Sequence, residues 1–378
     1  MSRSWPSPPA TAPTRSFAPC QRDTKLCLFV PLTFGPHRIA AVAKGLLKRL
    51  LRPILRRPVQ AVRRRAPEFL WDFGNRHGYS VMPHGPGSPI PELPEADDPI
   101  WSRRSCLTSI NFDLDAQLAF IKESLATYIQ EFGRDVRGQG FDVWNKFYKA
   151  GDAEVLYALL RHLRPKQVLE IGSGHSTCVS SAAMAANTRD GSPGDLVAID
   201  PNPQLALDER PTVRHEGAAI GWSVEVPGRE TPLEGLTRLE RLDCRELPFE
   251  RFEALQTGDV LFLDTSHIVK LDGEVNWLIL EVLPRLAPGV WVHLHDTFLP
   301  YEYPRYYFFL AGFLTEQYLL QAFLTGSAWR VEVALAALFR DRHEQLVELI
   351  PSLKEPVPGD PEVRTWSPCA IWIRRPDE

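Results

Sequence analysis

From about residue 168 onward the apolar positions fall into short continuous runs, and before that into helical stripes. Val168–Ile171, Leu196–Ile199, Val260–Leu263 and Val290–Leu294 are runs of the kind expected for strands buried on both faces. Arg238–Leu242, Trp329–Val333 and Ala370–Ile373 read as further strands, giving seven. Helix-length patterns at Ser176–Ala186, Leu271–Leu286 and Phe313–Phe323 separate several of them. Upstream, Asp152–Leu163 reads as a helix, as does Leu114–Phe132, where Leu118, Ile121, Leu125 and Ile129 form one stripe. Strands alternating with helices predict an α/β fold, a doubly wound, mostly parallel, seven-stranded Rossmann-like sheet. In such sheets ligands sit beyond the carboxyl ends of the strands, near the switch in strand order.

Ahead of this domain (151–378) the pattern predicts a helical and irregular N-terminal cap over 66–150, where Pro83, Pro86, Pro89, Pro91, Pro94 and Pro99 separate aromatics such as Trp71, Tyr79 and Trp101. Residues 1–65 hold nine of the 34 prolines. Their first half is Pro/Ser-rich and too poor in apolar residues to fold alone. From Arg38 to Arg65, Ile39, Val42, Leu46, Leu50 and Ile54 recur at helical spacing beside Lys44, Lys48 and Arg52, a basic amphipathic pattern suited to peripheral contact with an anionic membrane.

Charge sharpens this division. Residues 1–65 carry fourteen Lys/Arg against the single acid Asp23, a balance of +13, while the remainder holds 29 basic and 46 acidic side chains, a balance of −17. The part able to fold would repel phosphate, so a nucleic-acid partner is not expected. Six scattered cysteines without a CxxC pair fit reduced thiols better than a zinc finger or a disulfide scaffold. No apolar stretch reaches the roughly 18 residues of a membrane-spanning helix. A soluble, cytoplasmic protein is expected.

The first strand of the α/β domain ends in Glu170-Ile171-Gly172-Ser173-Gly174-His175-Ser176-Thr177, a tight strand-to-helix turn that a ligand can approach closely. The second ends in Asp200, where an acid can hold a ribose diol. Nicotinamide enzymes place a small third residue where Thr177 stands. Acid–x–Gly–x–Gly instead resembles the class I S-adenosylmethionine-dependent methyltransferases, over residues 150–378. The resemblance implies that cofactor as methyl donor, with Glu170, Gly172, Ser173, Gly174, His175 and Asp200 around it and Asp243, after the third strand, near its adenine.

The fourth strand runs into Asp264-Thr265-Ser266-His267 and the fifth into His293-Leu294-His295-Asp296. Two carboxylates and an imidazole can face a divalent ion and leave positions for substrate oxygens. This looks like the catechol-type and macrocin-type O-methyltransferases, whose three metal ligands match Asp264, His295 and Asp296 by position. His295 stands where those families have an acid, which weakens the case for Mg²⁺ against Mn²⁺, Fe²⁺ or Zn²⁺. The metal-free alternative is an acid–base pair of His295 and Asp296. His267 and Lys270 are further candidate bases on the loop after the fourth strand. That loop lacks the Asn/Asp-Pro-Pro-aromatic segment of nitrogen methylators and the nucleophilic cysteine of RNA cytosine methylators. Cys369 lies at the last strand, away from that position. The stretch from Tyr79, with Ser88-Pro89-Ile90-Pro91, also resembles uncharacterised bacterial methyltransferases of cell-surface or secondary-metabolite pathways, which implies a small-molecule or glycan acceptor. An oxygen acceptor is therefore expected. An NAD(P) oxidoreductase and a non-catalytic binding module are the alternatives. The aromatic run Phe298–Phe309 suits either a lid over substrate or core packing.

Overall fold

All seven expected strands form one sheet: β1 (Gln167–Ile171), β2 (Asp195–Ile199), β3 (Arg238–Glu240), β4 (Val260–Leu263), β5 (Trp291–Leu294), β6 (Arg330–Ala334) and β7 (Ile371–Arg374). Their spatial order is β6-β7-β5-β4-β1-β2-β3. Strands β1 to β5 pair in parallel, whereas β7 runs antiparallel to both β5 and β6. Every residue of β4 and β5 is buried, which is why β4 reads as an unbroken apolar run and β5 as one broken only by His293. The sheet grows from β1 toward β3 on one side and toward β4 and β5 on the other, so the switch point lies between β1 and β4.

The computed structural model describes residues 76–77, 88–136, 140–141, 143, 145, 147–203, 233–310, 313–354 and 368–376, together with the antiparallel strand pairs Lys25–Leu26 with Pro83–His84 and Thr212–Val213 with Glu225–Val226. The chain divides into one unit of residues 1–91 and 218–220 and another of 92–217 and 221–378. The seven-stranded sheet and the cavity described below lie in the second. The basic segment at 38–65 falls outside the described residues.

Helices of the second unit include α1 (Leu114–Phe120), α2 (Ala126–Asp135), α3 (Asp152–Leu163), α4 (His175–Arg189), α5 (Glu274–Trp277), α6 (Glu316–Leu324), α7 (Leu335–Asp341) and α8 (His343–Leu349). The stripe expected over 114–132 is one helical path interrupted by a π turn, Ile121–Leu125, between α1 and α2. Helix α3 is buried along its length from Ala153 to Leu160, since it lies between α2 and α4 and presents no face to water. The helix expected from Leu271 begins only at Glu274 and passes through a π turn into a 3₁₀ turn containing Pro284, whose missing N–H cannot continue an α-helix.

Helices α7 and α8 were not evident in the apolar pattern, and with them the reversal of β7 was hidden. An apolar run specifies burial and carries no direction. The aromatic run belongs to the core: Phe298, Tyr303 and Tyr307 pack with Leu314, Ala336 and Cys369 in a small apolar cluster. Among the described cysteines, Cys178, Cys244 and Cys369 are buried free thiols and Cys106 is exposed. No helix among the described residues is long and apolar enough to cross a membrane.

Candidate active site

A cavity of about 690 Å³ opens at the carboxyl ends of β1, β2, β4 and β5. Gly172, Ser173, Gly174 and His175 form one wall. Gly172 has φ +87, and a Cβ there would lie 1.8 Å from the Asp264 carbonyl oxygen, so the β1 and β4 termini meet only because this residue is glycine. Gly174 differs: its backbone is extended, and a Cβ would meet nothing within 4 Å. It keeps space open in the cavity, as a cofactor lying against the loop requires.

Glu170 does not reach the cavity wall. Its side chain turns beneath the loop and is fully buried, and its Oε1 accepts hydrogen bonds from the Ser176 hydroxyl at 2.7 Å and the Thr177 hydroxyl at 2.8 Å. The Thr177 hydroxyl in turn accepts from the Gly174 N–H at 3.0 Å. Glu170 therefore orders the loop from below, because alternation along β1 points it at the start of α4. Burial pushes its carboxyl up to about 7, against the opposing effect of the two hydroxyl donors.

Asp200 and Asp243 do line the cavity. The Asp200 Oδ2 accepts from the Ser173 N–H and hydroxyl at 2.9 and 2.8 Å, and Oδ1 accepts from the Asn202 N–H at 2.8 Å, so this acid ties β2 to the glycine loop. Asp243 caps the short 3₁₀ turn Cys244–Glu246 and pairs with Arg245 at 2.7 Å, which holds its carboxyl below the usual range. His175 lies at the mouth, stacked on the exposed ring of Phe147 with centroids 6.0 Å apart.

The opposite wall carries Asp264, His267, Lys270, His295 and Asp296. The β1–β4–β5 ladder continues one residue past the strands, with the Asp264 N–H bonded to the Ile171 carbonyl and the His295 N–H to that of Leu263. This extension fixes Asp264 and His295 side by side. His267 and Asp296 hold positive φ angles of 58° and 51°, sparsely populated for non-glycine residues, as is common where a side chain is aimed at a site. The His267 Nε2 lies 3.1 Å from the Asp264 Oδ1, and its Nδ1 lies 2.7 Å from the Glu316 Oε2. The His295 Nδ1 is 3.5 Å from the Asp264 Oδ1 and 3.7 Å from the Asp296 Oδ1, and its Nε2 is 3.7 Å from the Asp152 Oδ2. The Asp296 Oδ1 accepts the Tyr307 hydroxyl at 2.6 Å. Lys270 stays more than half exposed, 3.9 Å from Glu274.

Charge here is densely compensated. Burial favours the neutral imidazole of His267, yet Asp264 and Glu316 override it and hold the ring charged well above its ordinary range. Burial likewise opposes a charged His295, and nearby Asp264 and Asp296 help overcome it. Burial alone would raise the Asp264 carboxyl, but His295 and His267 hold it far below the usual carboxylate range. Ligand atoms of Asp264, His267 and His295 all lie within 4.8 Å of one another, as do those of Asp152, His295 and Cys369.

Four residues went unrecognised in the sequence. Glu316 comes from α6, Asp152 from the first turn of α3, Cys369 from the approach to β7, and Tyr148, whose ring sits 4.8 Å from that of His295, from the segment before α3. Cys369 looked remote, but the reversal of β7 beside β5 brings its Sγ to 3.6 Å from the His295 Nε2. Its N–H and that of Ala370 bond to Asp152, and burial keeps the thiol neutral. Only an acid at a helix start marked Asp152. Nothing local marked the others.

Residues 169–297 match a family described as a methyltransferase domain, a span that contains every expected cofactor and metal residue. No curated protein matches the chain. Among solved structures, a CmcI-N160 apo-structure is 15% identical over 48% of this chain and 62% of its own, with TM-score 0.28. A putative methyltransferase from Thermobifida fusca YX is 14% identical over 74% of this chain and 97% of its own, with TM-score 0.27. The chain thus spans under two thirds of the first of these. A methyltransferase domain implies S-adenosylmethionine as cofactor. With residues 169–297 matched and the sheet in the order described, the chain carries a methyltransferase domain on a Rossmann-like fold.

Proposed function

We propose that the enzyme transfers the methyl group of S-adenosylmethionine to a hydroxyl of a small molecule or glycan, with a divalent ion at the strand ends. The observation that carries this reading is the shared cavity: the glycine loop forms one wall and the Asp264–His295–Asp296 group, with His267, forms the other. An acceptor oxygen is a weak nucleophile until its proton is lost, and a wall of carboxylates and imidazoles serves that loss. Nitrogen acceptors need less such help.

The donor set fits a cation. Four acids, Asp152, Asp264, Asp296 and Glu316, surround two histidines, so even with both rings charged the cluster keeps an excess of negative charge. Asp264 and His295, joined by Asp296 or His267, would hold the ion, which when bound would polarise the acceptor hydroxyl and lower its pKa. Gly174 leaves room for the cofactor, Asp200 fixes the loop against which it lies, and Phe147, Tyr148 and His175 border the space beside it. The excess of acids makes the cavity a poor host for phosphorylated or nucleic-acid acceptors, in line with the −17 balance beyond residue 65. In this reading the enzyme works in the cytoplasm, and residues 38–65 contact the membrane surface peripherally.

Calorimetry with S-adenosylhomocysteine, followed by transfer from a labelled methyl donor to hydroxylated acceptors, tests the proposal. Binding and label recovered as a methyl ether support it. Label found on nitrogen, or binding of nicotinamide nucleotides instead, refutes it.

A further inference from the structure

The geometry points to His267, oriented by Glu316, as the third ligand of that ion in place of Asp296, giving a face of two imidazoles and one carboxylate that selects a first-row transition ion over Mg²⁺. This rests on the reading that a cation sits at the strand ends.

Ligands about 2.1 Å from a common ion at tetrahedral to octahedral angles stand ~3.0–3.4 Å apart. The Asp264 Oδ1 lies 3.1 Å from the His267 Nε2 and 3.5 Å from the His295 Nδ1, so Asp264 sits at about neighbouring-ligand distance from each ring, and ligand atoms of all three residues lie within 4.8 Å of one another. Asp296 fits less well. Its Oδ1 stands 3.7 Å from the His295 Nδ1 and is engaged by the Tyr307 hydroxyl at 2.6 Å, and its Oδ2 is 3.6 Å from the His267 Nε2.

Metal-bound histidine usually donates its other ring N–H to a carboxylate, which fixes the tautomer and turns the ligating nitrogen toward the ion. His267 has this arrangement. Its Nδ1 meets the buried Glu316 at 2.7 Å, leaving Nε2 for the cavity. The backbone reinforces the pose: the His267 carbonyl accepts the N–H groups of Thr315 and Glu316, and the Thr315 hydroxyl accepts from the Val269 N–H at 2.7 Å. The loop carrying the ligand is thereby clamped to the start of α6. Imidazole donors favour Zn²⁺, Fe²⁺, Co²⁺ or Ni²⁺, whereas Mg²⁺ prefers an all-oxygen set.

The full chain is titrated with Zn²⁺, Co²⁺ and Mg²⁺ by calorimetry, and the Cu²⁺ form is examined by pulsed EPR, which counts coupled imidazoles. Expected are tighter binding of Zn²⁺ and Co²⁺ than of Mg²⁺, and two coupled imidazoles, falling to one in His267→Ala. Glu316→Ala should weaken Zn²⁺ binding about 10- to 100-fold. Glu316→Gln, whose amide oxygen can still accept the Nδ1 proton, should recover most of the loss, and S-adenosylhomocysteine binding reports that each variant is folded. One coupled imidazole in the parent overturns the assignment, as does unchanged Zn²⁺ affinity in folded His267→Ala with loss in Asp296→Asn, or tighter binding of Mg²⁺. Methyl transfer to a hydroxyl without any bound cation would also overturn it and leave the acceptor assignment standing.

Discussion

Replacing Glu170 by Gln should stabilise this enzyme in a pH-dependent way. In the folded protein the carboxyl titrates at about 7, against an ordinary value of 4.5. Below both values it is neutral in either state and costs nothing. Between them the unfolded chain gives up the proton while the buried group keeps it, so folding stability declines as pH rises and levels off above about 7. One pKa unit is worth about 1.4 kcal/mol, so the gap amounts to roughly 3 kcal/mol at pH 8. Gln cannot ionise, and its Oε1 can still accept the Ser176 and Thr177 hydroxyls that Glu170 now holds. Urea unfolding without cofactor at pH 5, 6, 7 and 8 is the measurement. The difference Glu170→Gln minus parent should rise from near zero at acid pH to about 2–3 kcal/mol in favour of Gln at pH 8. A pH-independent difference would refute the reasoning, because it would mean that the folded carboxyl titrates like a solvated one.

Gly174→Val should leave the melting temperature nearly unchanged, since a Cβ there meets nothing, while reducing S-adenosylhomocysteine affinity at least tenfold by calorimetry. Gly172→Ala should do the reverse in part, lowering stability in urea melts by at least ~2 kcal/mol, because the new Cβ would collide with the Asp264 carbonyl at a positive φ. Arg161→Met should cost roughly 2 kcal/mol in the same melts. That loss comes mainly from the buried Asn187, whose Oδ1 accepts from Arg161 at 2.6 Å, and from Glu131, with little from the half-exposed Asp190.

Much of this enzyme was legible along the chain. The run that became β4 is apolar at every position, and that of β5 at every position but His293, because both faces of those strands are covered, and Val260–Leu263 and Asp152–Leu163 begin and end where the pattern placed them. Gly172, Gly174 and Asp200 were legible because a strand-to-helix turn beside a ligand constrains residue type over a few positions. Asp264, His295 and Asp296 were legible because parallel strands end on one edge. Less was visible where the chain departs from regular periodicity: the π turns at Ile121–Leu125 and Leu278–Val282 preserve an apolar stripe while shifting its phase.

By itself, then, the sequence determined the sheet, the cofactor-side loop and the acids at the strand ends, all of which depend on near neighbours or on strand periodicity. Only the tertiary structure decided which groups surround the two site histidines. Glu316 is 49 residues from His267, and Cys369 is 74 from His295. The reversal of β7 and the docking of α6 bring them in, and neither strand direction nor helix docking is written in a local pattern of polar and apolar residues. The structure also moved Glu170 from the cofactor's side of the loop to its underside. A two-residue alternation tells which positions share a face of a strand, but what covers that face depends on the helix packed against it.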